Sequence, residues 1–535
     1  MFNRPHLRYG QCLFDLEPFP RRPMPARMCL PAERPDGWAD NLLLIGNRQP
    51  QSLTIKPAPS PVFGGGIARR LHLKRGICSM EQAQISTISP FEGNTLRAYF
   101  KSLVGAPRKA RMALIGCLIL MVISPAGLSA MTPFVIAAFS AETHRAQADA
   151  LLIFVALPLL LSPLILPLAG AWVDRWGARA VAIPAVILYA VTTAMIPLVS
   201  GTIWILTPMI ILAALFGFMS SLAVIFKIIT CWFPEHRGIG FALVGVLSSF
   251  ANALFSPLFQ WLIYGATNSD GSASGLHQLG GIGWSGSYFV VAGTIAILGI
   301  PSALFLISEP AKPSAAKRLP MPGPHLNMEN AAGIPLKMAI RTKTWIFITL
   351  FLAITAAGPM TVRQNSVDFF QQRGFDLNDI AFSQSVLFVA SVVGLFLGGM
   401  ILDRSRRPWV IAPLLAMVPI GLTIAYFNHG SVFLLYVAMS SLGFATGAES
   451  ALGPFLVARY FGPKAFAQIQ GLTLAICSLS FGLTPFLTSA MATAAGSYFV
   501  PFAILTGLTM VAVALGALLP NYPPEWPTGA EVSGK

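Results

Sequence analysis

Long apolar runs, separated by short polar connections, dominate the chain from residue 112 onward. A helix needs about 20 apolar residues to cross the hydrocarbon core of a bilayer, and twelve runs reach that length. The predicted spans are 112–136, 150–173, 179–199, 203–228, 238–263, 285–307, 344–365, 380–402, 408–427, 431–458, 465–491 and 497–519. Because lipid offers no hydrogen-bond partners to an open backbone, the pattern predicts an all-α integral membrane protein with twelve transmembrane helices.

The first 111 residues do not follow this pattern. Residues 1–79 carry 12 Lys/Arg against 5 Asp/Glu, with many prolines and no helical or strand periodicity, which favours disorder. An alternative is that translation begins at Met80, because Lys74-Arg75-Gly76 can be encoded by a purine-rich ribosome-binding stretch. Residues 80–111 are basic and amphipathic, which is typical of a cytoplasmic lead-in segment on the inner membrane face.

Composition agrees with a membrane protein and excludes other classes. Hydrophobic residues make up 55% of the chain, charged residues only 11%, and the mean hydropathy is +0.67. The 6 cysteines and 7 histidines have no metal-type spacing, and we find no clustered nucleophile and base. We therefore expect no enzyme, no metal and no cofactor. The net charge is +15, but the chain has no basic helix interleaved with aromatic residues, so we expect no nucleic-acid partner.

Lysine and arginine are distributed unequally between the two sides of the predicted bundle. If the N-terminus is cytoplasmic, the inner segments hold twenty of them, and the outer segments hold three: Arg145, Arg363 and Arg373. Basic residues accumulate on the cytoplasmic side of membrane proteins. The asymmetry predicts an even number of crossings with both termini cytoplasmic, and we expect the bacterial inner (plasma) membrane as the location.

Three sequence echoes recur in order in the two halves of the chain. They pair 170–179 with 399–407 at an offset of 229 residues, 232–237 with 460–464 at an offset of 228, and the identical pentapeptides 286–290 and 496–500. Ordered repeats of this kind indicate a duplicated six-helix unit.

The duplication predicts two pseudo-symmetric six-helix bundles. The first bundle covers 112–307 and the second covers 344–520. A proline-rich cytoplasmic linker, 308–343, joins them, and a cytoplasmic tail, 521–535, follows.

The loop after the second predicted helix resembles the loop signature of the major facilitator superfamily, and the loop after the eighth repeats its first part. The matching residues are Gly170, Asp174, Arg175, Gly177 and Arg179 in the first copy and Gly399, Asp403 and Arg404 in the second. The resemblance implies an inner gate. There Gly170 would let two helices approach closely, Asp174 would pair with a helix N-terminus or a basic residue, and the arginines would anchor to anionic headgroups or carboxylates.

Shorter segments resemble the monocarboxylate and oxalate/formate branch of that superfamily. They are 232–238, 459–464 and Gly447-Ala448-Glu449. The resemblance implies a small carboxylate as the solute. One departure is that predicted helices 8 and 11 contain no basic residue, whereas carriers of this branch place solute-binding cations there.

Few polar side chains inside the spans are candidates for a transport pathway, since an ionisable group in the bilayer costs about 3 kcal/mol or more. Glu449, among glycines in helix 10, could carry a proton or could fix helix packing. Lys227, near the inner end of helix 4, could attract an anion or could snorkel to the headgroups. Arg363 and Gln364 close helix 7 on the outer side, either at a cavity mouth or at an exposed loop end.

Proline and glycine interrupt two helices that occupy corresponding positions in the halves. The interruptions are Ser124-Pro125-Ala126-Gly127 in helix 1 and Gly358-Pro359 in helix 7. Matched broken helices are typical of a central transport site. We therefore expect the following polar residues to face the pathway: Ser129, Thr132, Thr361 and Gln364.

The leading interpretation is a secondary active carrier that imports a small organic solute, best a carboxylate, with protons by alternating access. We expect a monomer whose partners are the solute, protons and the lipid bilayer. Gly64-Gly65-Gly66 is not followed by the residues of a nucleotide-binding loop, so ATP is not the local energy source. The alternatives are a proton-coupled drug or metabolite exporter, for which helices 4 and 5 lack the usual antiporter sequences, and a carrier-derived membrane receptor.

Overall fold

The computed structural model describes residues 105–233, 237–265, 281–309, 333–405, 407–462 and 464–523. The extension 1–79 and most of the lead-in 80–111, the linker 308–343 and the tail 521–535 lie outside these residues. In the described part all regular secondary structure is helical, as the apolar runs predict. We call a helix end inner if the distribution of basic residues predicts that it faces the cytoplasm, and outer if it predicts the opposite side.

Among the described residues, eleven helices are long and apolar enough to span a membrane. An interrupted helix, α1, precedes them and supplies the twelfth crossing. The membrane helices are α1 Arg108–Val122 and Thr132–Thr143, α2 147–176, α3 Ala178–Leu198, α4 Ile203–Trp232, α5 Arg237–Tyr264, α6 Gly283–Leu306, α7 Lys343–Gln364, α8 Leu377–Arg404, α9 Ile411–Phe427, α10 Val432–Phe461, α11 Phe466–Ala495 and α12 Phe499–Ala517. Apart from α1, the predicted spans and these helices agree to within about four residues at each end.

Helix packing repeats after six helices. In the first bundle α1 packs against α5 and α6, and α3 packs against α4 and α6. In the second bundle α7 packs against α11 and α12, and α9 packs against α10 and α12. Between the bundles α5 contacts α8 and α2 contacts α11, which are again related by the same shift. The duplicated sequence therefore folds into two pseudo-symmetric bundles, as predicted.

Glycines bring α8 and α10 into direct backbone contact. A Cβ on Gly447 would lie 1.9 Å from the carbonyl oxygen of Ser391, and Gly394, Gly398 and Gly443 leave no room for a side chain either. Small residues four apart let membrane helices approach closely. We call this contact the glycine seam.

The first bundle lacks glycines at the equivalent positions. Shifted back by the repeat offsets of 229 and 228 residues, the four positions are Ile165, Ala169, Leu215 and Met219. The equivalent positions of α2 and α4 therefore carry side chains where α8 and α10 carry glycines.

The predicted interruption of α1 is confirmed. Ser124 Oγ donates to the carbonyl of Met121 at 2.7 Å and accepts from the amide of Gly127 at 3.1 Å, so this side chain closes the turn. Gly127 is required because a Cβ there would lie 2.3 Å from the carbonyl oxygens of Met121 and Val122.

The predicted interruption of α7 is wrong. The helix continues from Lys343 to Gln364 through Gly358-Pro359. A single proline removes only one intrahelical hydrogen bond, and the missing side chain of Gly358 lets α7 pack directly on Val418 of α9. Tertiary packing therefore holds α7 together where the local sequence favours a break.

Candidate functional site

A cavity of about 730 Å³ lies between the two bundles. Helices α1, α2, α4 and α5 line it from one side, and their counterparts α7, α8, α10 and α11 line it from the other. The lining is mostly apolar. Among the described residues, Arg363 and Glu449 are the charged side chains that line it.

Arg363 lies at the outer end of the cavity on the last turn of α7. Its Nη1 donates to Ser129 Oγ at 3.0 Å, its Nη2 lies 3.0 Å from Met360 Sδ, and its guanidinium carbon is 5.6 Å from the ring centre of Phe388. In the described part of the chain, no carboxylate lies within ion-pair distance of it. A cation in apolar surroundings is costly unless it is paired, and these partners are all neutral.

Asn252 of α5 holds the broken helix beneath Arg363. Its Oδ1 accepts from Ser129 Oγ at 3.1 Å and from the amide of Ala130 at 2.8 Å, while its Nδ2 donates to the carbonyls of Ala126 and Ser248, each at 2.9 Å. Asn252 is not among the residues predicted from the sequence. The available signal was an amide side chain inside an apolar span, which needs hydrogen-bond partners there.

Two of the polar residues predicted to face the pathway, Thr132 and Gln364, line the cavity, as Ser129 does. Thr361 does not line it and is fully buried, which corrects the prediction for this residue. Helical residues advance by about 100°, so Thr361 and Arg363, two positions apart, face roughly opposite directions. The Oε1 atom of Gln364 and the hydroxyl of Thr361 have no hydrogen-bond partner among the described residues.

Glu449 lines the inner part of the cavity on α10, two residues after Gly447 of the glycine seam. No hydrogen bond or ion pair to its carboxylate is present within the described residues. Gln470 of α11, which is also not among the residues predicted from the sequence, lines this part of the cavity, and its Oε1 has no hydrogen-bond partner in the described part. The inner part of the cavity therefore presents an acidic group and an amide without fixed partners.

The positions of Arg363 and Glu449 along the cavity can be compared on α8. Gln384 Nε2 donates to the carbonyl of Arg363 at 3.0 Å, whereas Gly447 lies against the backbone between Ser391 and Leu395. These backbone levels differ by about ten residues, which is roughly 15 Å at 1.5 Å per residue. The Arg363 guanidinium reaches inward to Phe388, so the two charged groups are separated along α8 by roughly 10 Å. The cation and the carboxyl group therefore occupy different ends of one cavity.

Lys227 does not line the cavity. Its Nζ lies 2.5 Å from Asp174 Oδ1, which joins α4 to α2 inside the first bundle. The side chain therefore pairs with the predicted gating motif and not with an anion in the cavity. Since the Asp174 side chain is 71% exposed, the pair contributes at most about 1 kcal/mol.

The rest of the first motif copy is attached to the end of α6. Gly177 has a φ of +93° and separates α2 from α3. The next amide, of Ala178, donates to a carboxylate oxygen of Glu309, and the Arg179 guanidinium donates to the carbonyl of Leu304. Arg175 is exposed and lies 5.9 Å from the Trp176 ring. These contacts order the inner surface of the first bundle.

The motif glycines and the second motif copy differ from the prediction in part. A Cβ on Gly170 or Gly399 would meet no described atom within 4 Å, so the expected close helix approach is absent there, and on α8 it occurs at Gly394 and Gly398. Arg404 is exposed, and the side chain of Asp403 lies outside the described residues.

Among the described residues, five hydrogen bonds connect the bundles. The pairs are Arg363 with Ser129, Gln147 with Asn365, Ser256 with Ala381, Ser385 with Ala253, and Ser391 with Ser249. All lie between the outer helix ends and the middle of the helices, and within the described residues no hydrogen bond joins the inner halves. The cavity is therefore closed towards the outer side, and it reaches inward to Pro454 and Gln470.

The family model of the Major Facilitator Superfamily matches residues 117–369 and 364–534. Among solved structures, a bacterial homologue of the human lysosomal transporter Spinster, inward-facing and unoccupied, aligns with a TM-score of 0.62 at 17% identity, over 78% of this chain and 100% of its own. A mutant of the nucleoside transporter NupG aligns with a TM-score of 0.56 at 15% identity, over 76% and 99%. No curated protein matches the sequence. Because the family model covers both bundles, the chain belongs to the major facilitator superfamily.

Proposed function

We propose that the chain is a secondary active transporter that imports an organic carboxylate with protons. The observation that carries the proposal is Arg363, whose guanidinium lines the cavity and has no carboxylate within ion-pair distance among the described residues. Arginine presents a planar fork of donors that matches a carboxylate. A bound carboxylate would supply a negative charge that pairs with Arg363.

The likeness of short segments to monocarboxylate and oxalate/formate carriers supports the same class of solute. Carriers of that branch place their cation in helix 8 or 11. Here the cation is on α7 and lies against Phe388 of α8. A charge on a neighbouring helix can therefore serve the same central cavity.

Glu449 is our candidate for proton coupling. A charged carboxylate surrounded by apolar helices is unfavourable, so Glu449 must be neutralised when the cavity closes around it. A proton does this without occupying the solute site, and water can receive the proton when the cavity opens. With the charge of Arg363 balanced by the solute, one carboxylate and one proton would move together.

Alternating access requires the outer contacts to break and an inner contact to form. The five hydrogen bonds between the bundles would open on the outer side. We assign the closed inner gate of the alternate state to the two motif copies, with Asp174, Arg175, Arg179 and Arg404 as its charged residues. A monomer with both termini in the cytoplasm, in a bacterial inner membrane, fits this assignment.

Uptake into proteoliposomes under an imposed pH gradient tests the proposal. With the inside alkaline, the protein should concentrate a radiolabelled carboxylate above the level of protein-free liposomes, which correct for passive entry of the neutral acid. Reversing the gradient tests the proton-coupled exporter, since an antiporter would accumulate solute with the inside acidic.

Two variants separate the roles of the charges. Glu449→Gln should abolish uphill uptake and retain solute exchange, whereas Arg363→Gln should weaken carboxylate binding about 10- to 100-fold, the value of a hydrogen-bonded charge. Asp149→Asn and Arg145→Gln are matched controls, because both residues are exposed and lie outside the cavity lining. Unchanged uphill uptake in Glu449→Gln refutes the proton role, and unchanged binding in Arg363→Gln refutes the carboxylate site.

A further inference from the structure

We infer that the carboxylate is the charged end of a solute with an aromatic or long alkyl body, not a two- to four-carbon acid. The inference rests on the proposed function and concerns the same cavity. A volume of about 730 Å³ is in the upper part of the range of roughly 300–1,000 Å³ for pockets that hold drug-sized ligands. A short acid on Arg363 would leave most of that volume to water beside apolar walls.

Four phenylalanines supply aromatic surface, two from each bundle. They are Phe154 on α2, Phe218 on α4, Phe388 on α8 and Phe481 on α11. Phe388 lies directly beside the Arg363 guanidinium. An anion held by Arg363 would therefore place the next part of its body against an aromatic ring.

The Phe154 ring is held in place by neighbouring aromatic side chains. Its ring lies 5.2 Å from that of Phe139, 6.5 Å from that of Trp284 and 6.4 Å from that of Tyr288, measured between ring centres. It stands in a π-helical turn, Leu152–Ala156, a feature frequent at functional sites. The apolar wall is therefore formed before a solute arrives.

The length of the cavity agrees with an elongated solute. The Arg363 guanidinium, which lies beside Phe388, and Glu449 are separated by roughly 10 Å along α8. Between them the lining offers hydroxyl groups such as those of Ser248 and Ser249 but, among the described residues, no further charge. Each methylene that covers this wall should improve binding about fourfold, the equivalent of about 0.8 kcal/mol.

Calorimetric titration of the purified full chain in detergent tests this inference with matched acids. The pairs are acetate with phenylacetate and butyrate with 4-phenylbutyrate. We expect each phenyl acid to bind at least about tenfold more tightly than its partner, since a buried Phe-sized group is worth that much or more. Titration of the acids into protein-free micelles of the same detergent gives the baseline for partition into micelles.

Phe388→Leu should reduce the ratio between phenyl and alkyl affinities at least about threefold, because the aromatic contact next to the cation is lost. Phe396→Leu is the matched control on the same helix, since Phe396 is exposed and does not line the cavity. It should leave the ratio unchanged.

The outcomes distinguish the two proposals. Equal affinities within each pair, with loss of both in Arg363→Gln, would overturn the inference and leave carboxylate transport intact. A phenyl preference that Phe388→Leu does not reduce would also overturn it, because the body would then bind elsewhere. Binding that Arg363→Gln leaves unaltered would overturn the proposed carboxylate site itself.

Discussion

Replacing Gly447 with alanine tests the glycine seam, on which the position of Glu449 depends. The added Cβ would lie 1.9 Å from the carbonyl oxygen of Ser391 and 2.7 Å from the amide nitrogen of Leu395. Carbon and oxygen in favourable contact stand about 3.3 Å apart. Because both partners are backbone atoms, no change of rotamer relieves the clash, and α8 and α10 must separate by about 1.4 Å.

The size of the effect follows from two opposing terms. Overpacking lowers the free energy of unfolding by about 1–3 kcal/mol. We expect Gly447→Ala to be near the upper value, because the contact is with rigid backbone. Alanine regains up to about 1 kcal/mol of helix propensity, which leaves a net loss of about 2 kcal/mol. A unit of 150–250 residues loses about 2–4 °C per kcal/mol, so we expect the unfolding temperature of Gly447→Ala to fall by about 4–8 °C.

Size-exclusion chromatography of heated, detergent-solubilised protein measures the unfolding temperature. Gly507→Ala on α12 is the matched control, because a Cβ there meets no described atom within 4 Å. In proteoliposomes, Gly447→Ala should lose pH-driven uptake more than exchange, because Glu449 moves with its helix. Equal unfolding temperatures for the two variants would show that α8 and α10 are not in backbone contact at the seam and that the seam does not position Glu449.

Three further changes test other contacts. Asn252→Leu removes four hydrogen bonds and should raise the KM for the solute in uptake assays; an unchanged KM would show that the break in α1 does not position Arg363. Asp174→Lys and Lys227→Asp should each lower transport, and their combination should restore it; no rescue would mean that the ion pair does not matter. In a background without the native cysteines, Ser256→Cys with Ala381→Cys should crosslink on oxidation and block uptake until a reductant is added. Full activity of the crosslinked protein would contradict an outer opening between α5 and α8.

Most of the fold could be predicted from the sequence, because bilayer thickness sets the length of an apolar helix. Which proline-containing helix breaks could not be predicted. Ser124-Pro125-Ala126-Gly127 and Gly358-Pro359 carry the same local signals, yet Asn252 caps the break in α1, whereas Val418 packs against the glycine of a continuous α7. Both partners are distant in sequence, so the choice is made by tertiary contacts.

The candidate site could be predicted in composition but not in orientation. Arg363 and Glu449 stand out because charge inside an apolar span is costly. Which face of a helix meets the cavity depends on neighbouring helices. The sequence therefore does not show that Thr361 lies on a face of α7 that does not line the cavity. The pairing of Lys227 with Asp174 could not be predicted for a related reason, since it depends on how α2 and α4 pack together.

Gene duplication begins with two identical copies of a bundle. At the glycine seam the helix packing of the two copies has diverged. In the second copy, α8 and α10 form one rigid unit, because their backbones are in contact at the glycine seam. The first copy holds bulkier residues there and can yield when the molecule is strained. Opening and closing should consequently bend the first copy while the second turns as a rigid body, so we expect the two halves of the molecule to move differently.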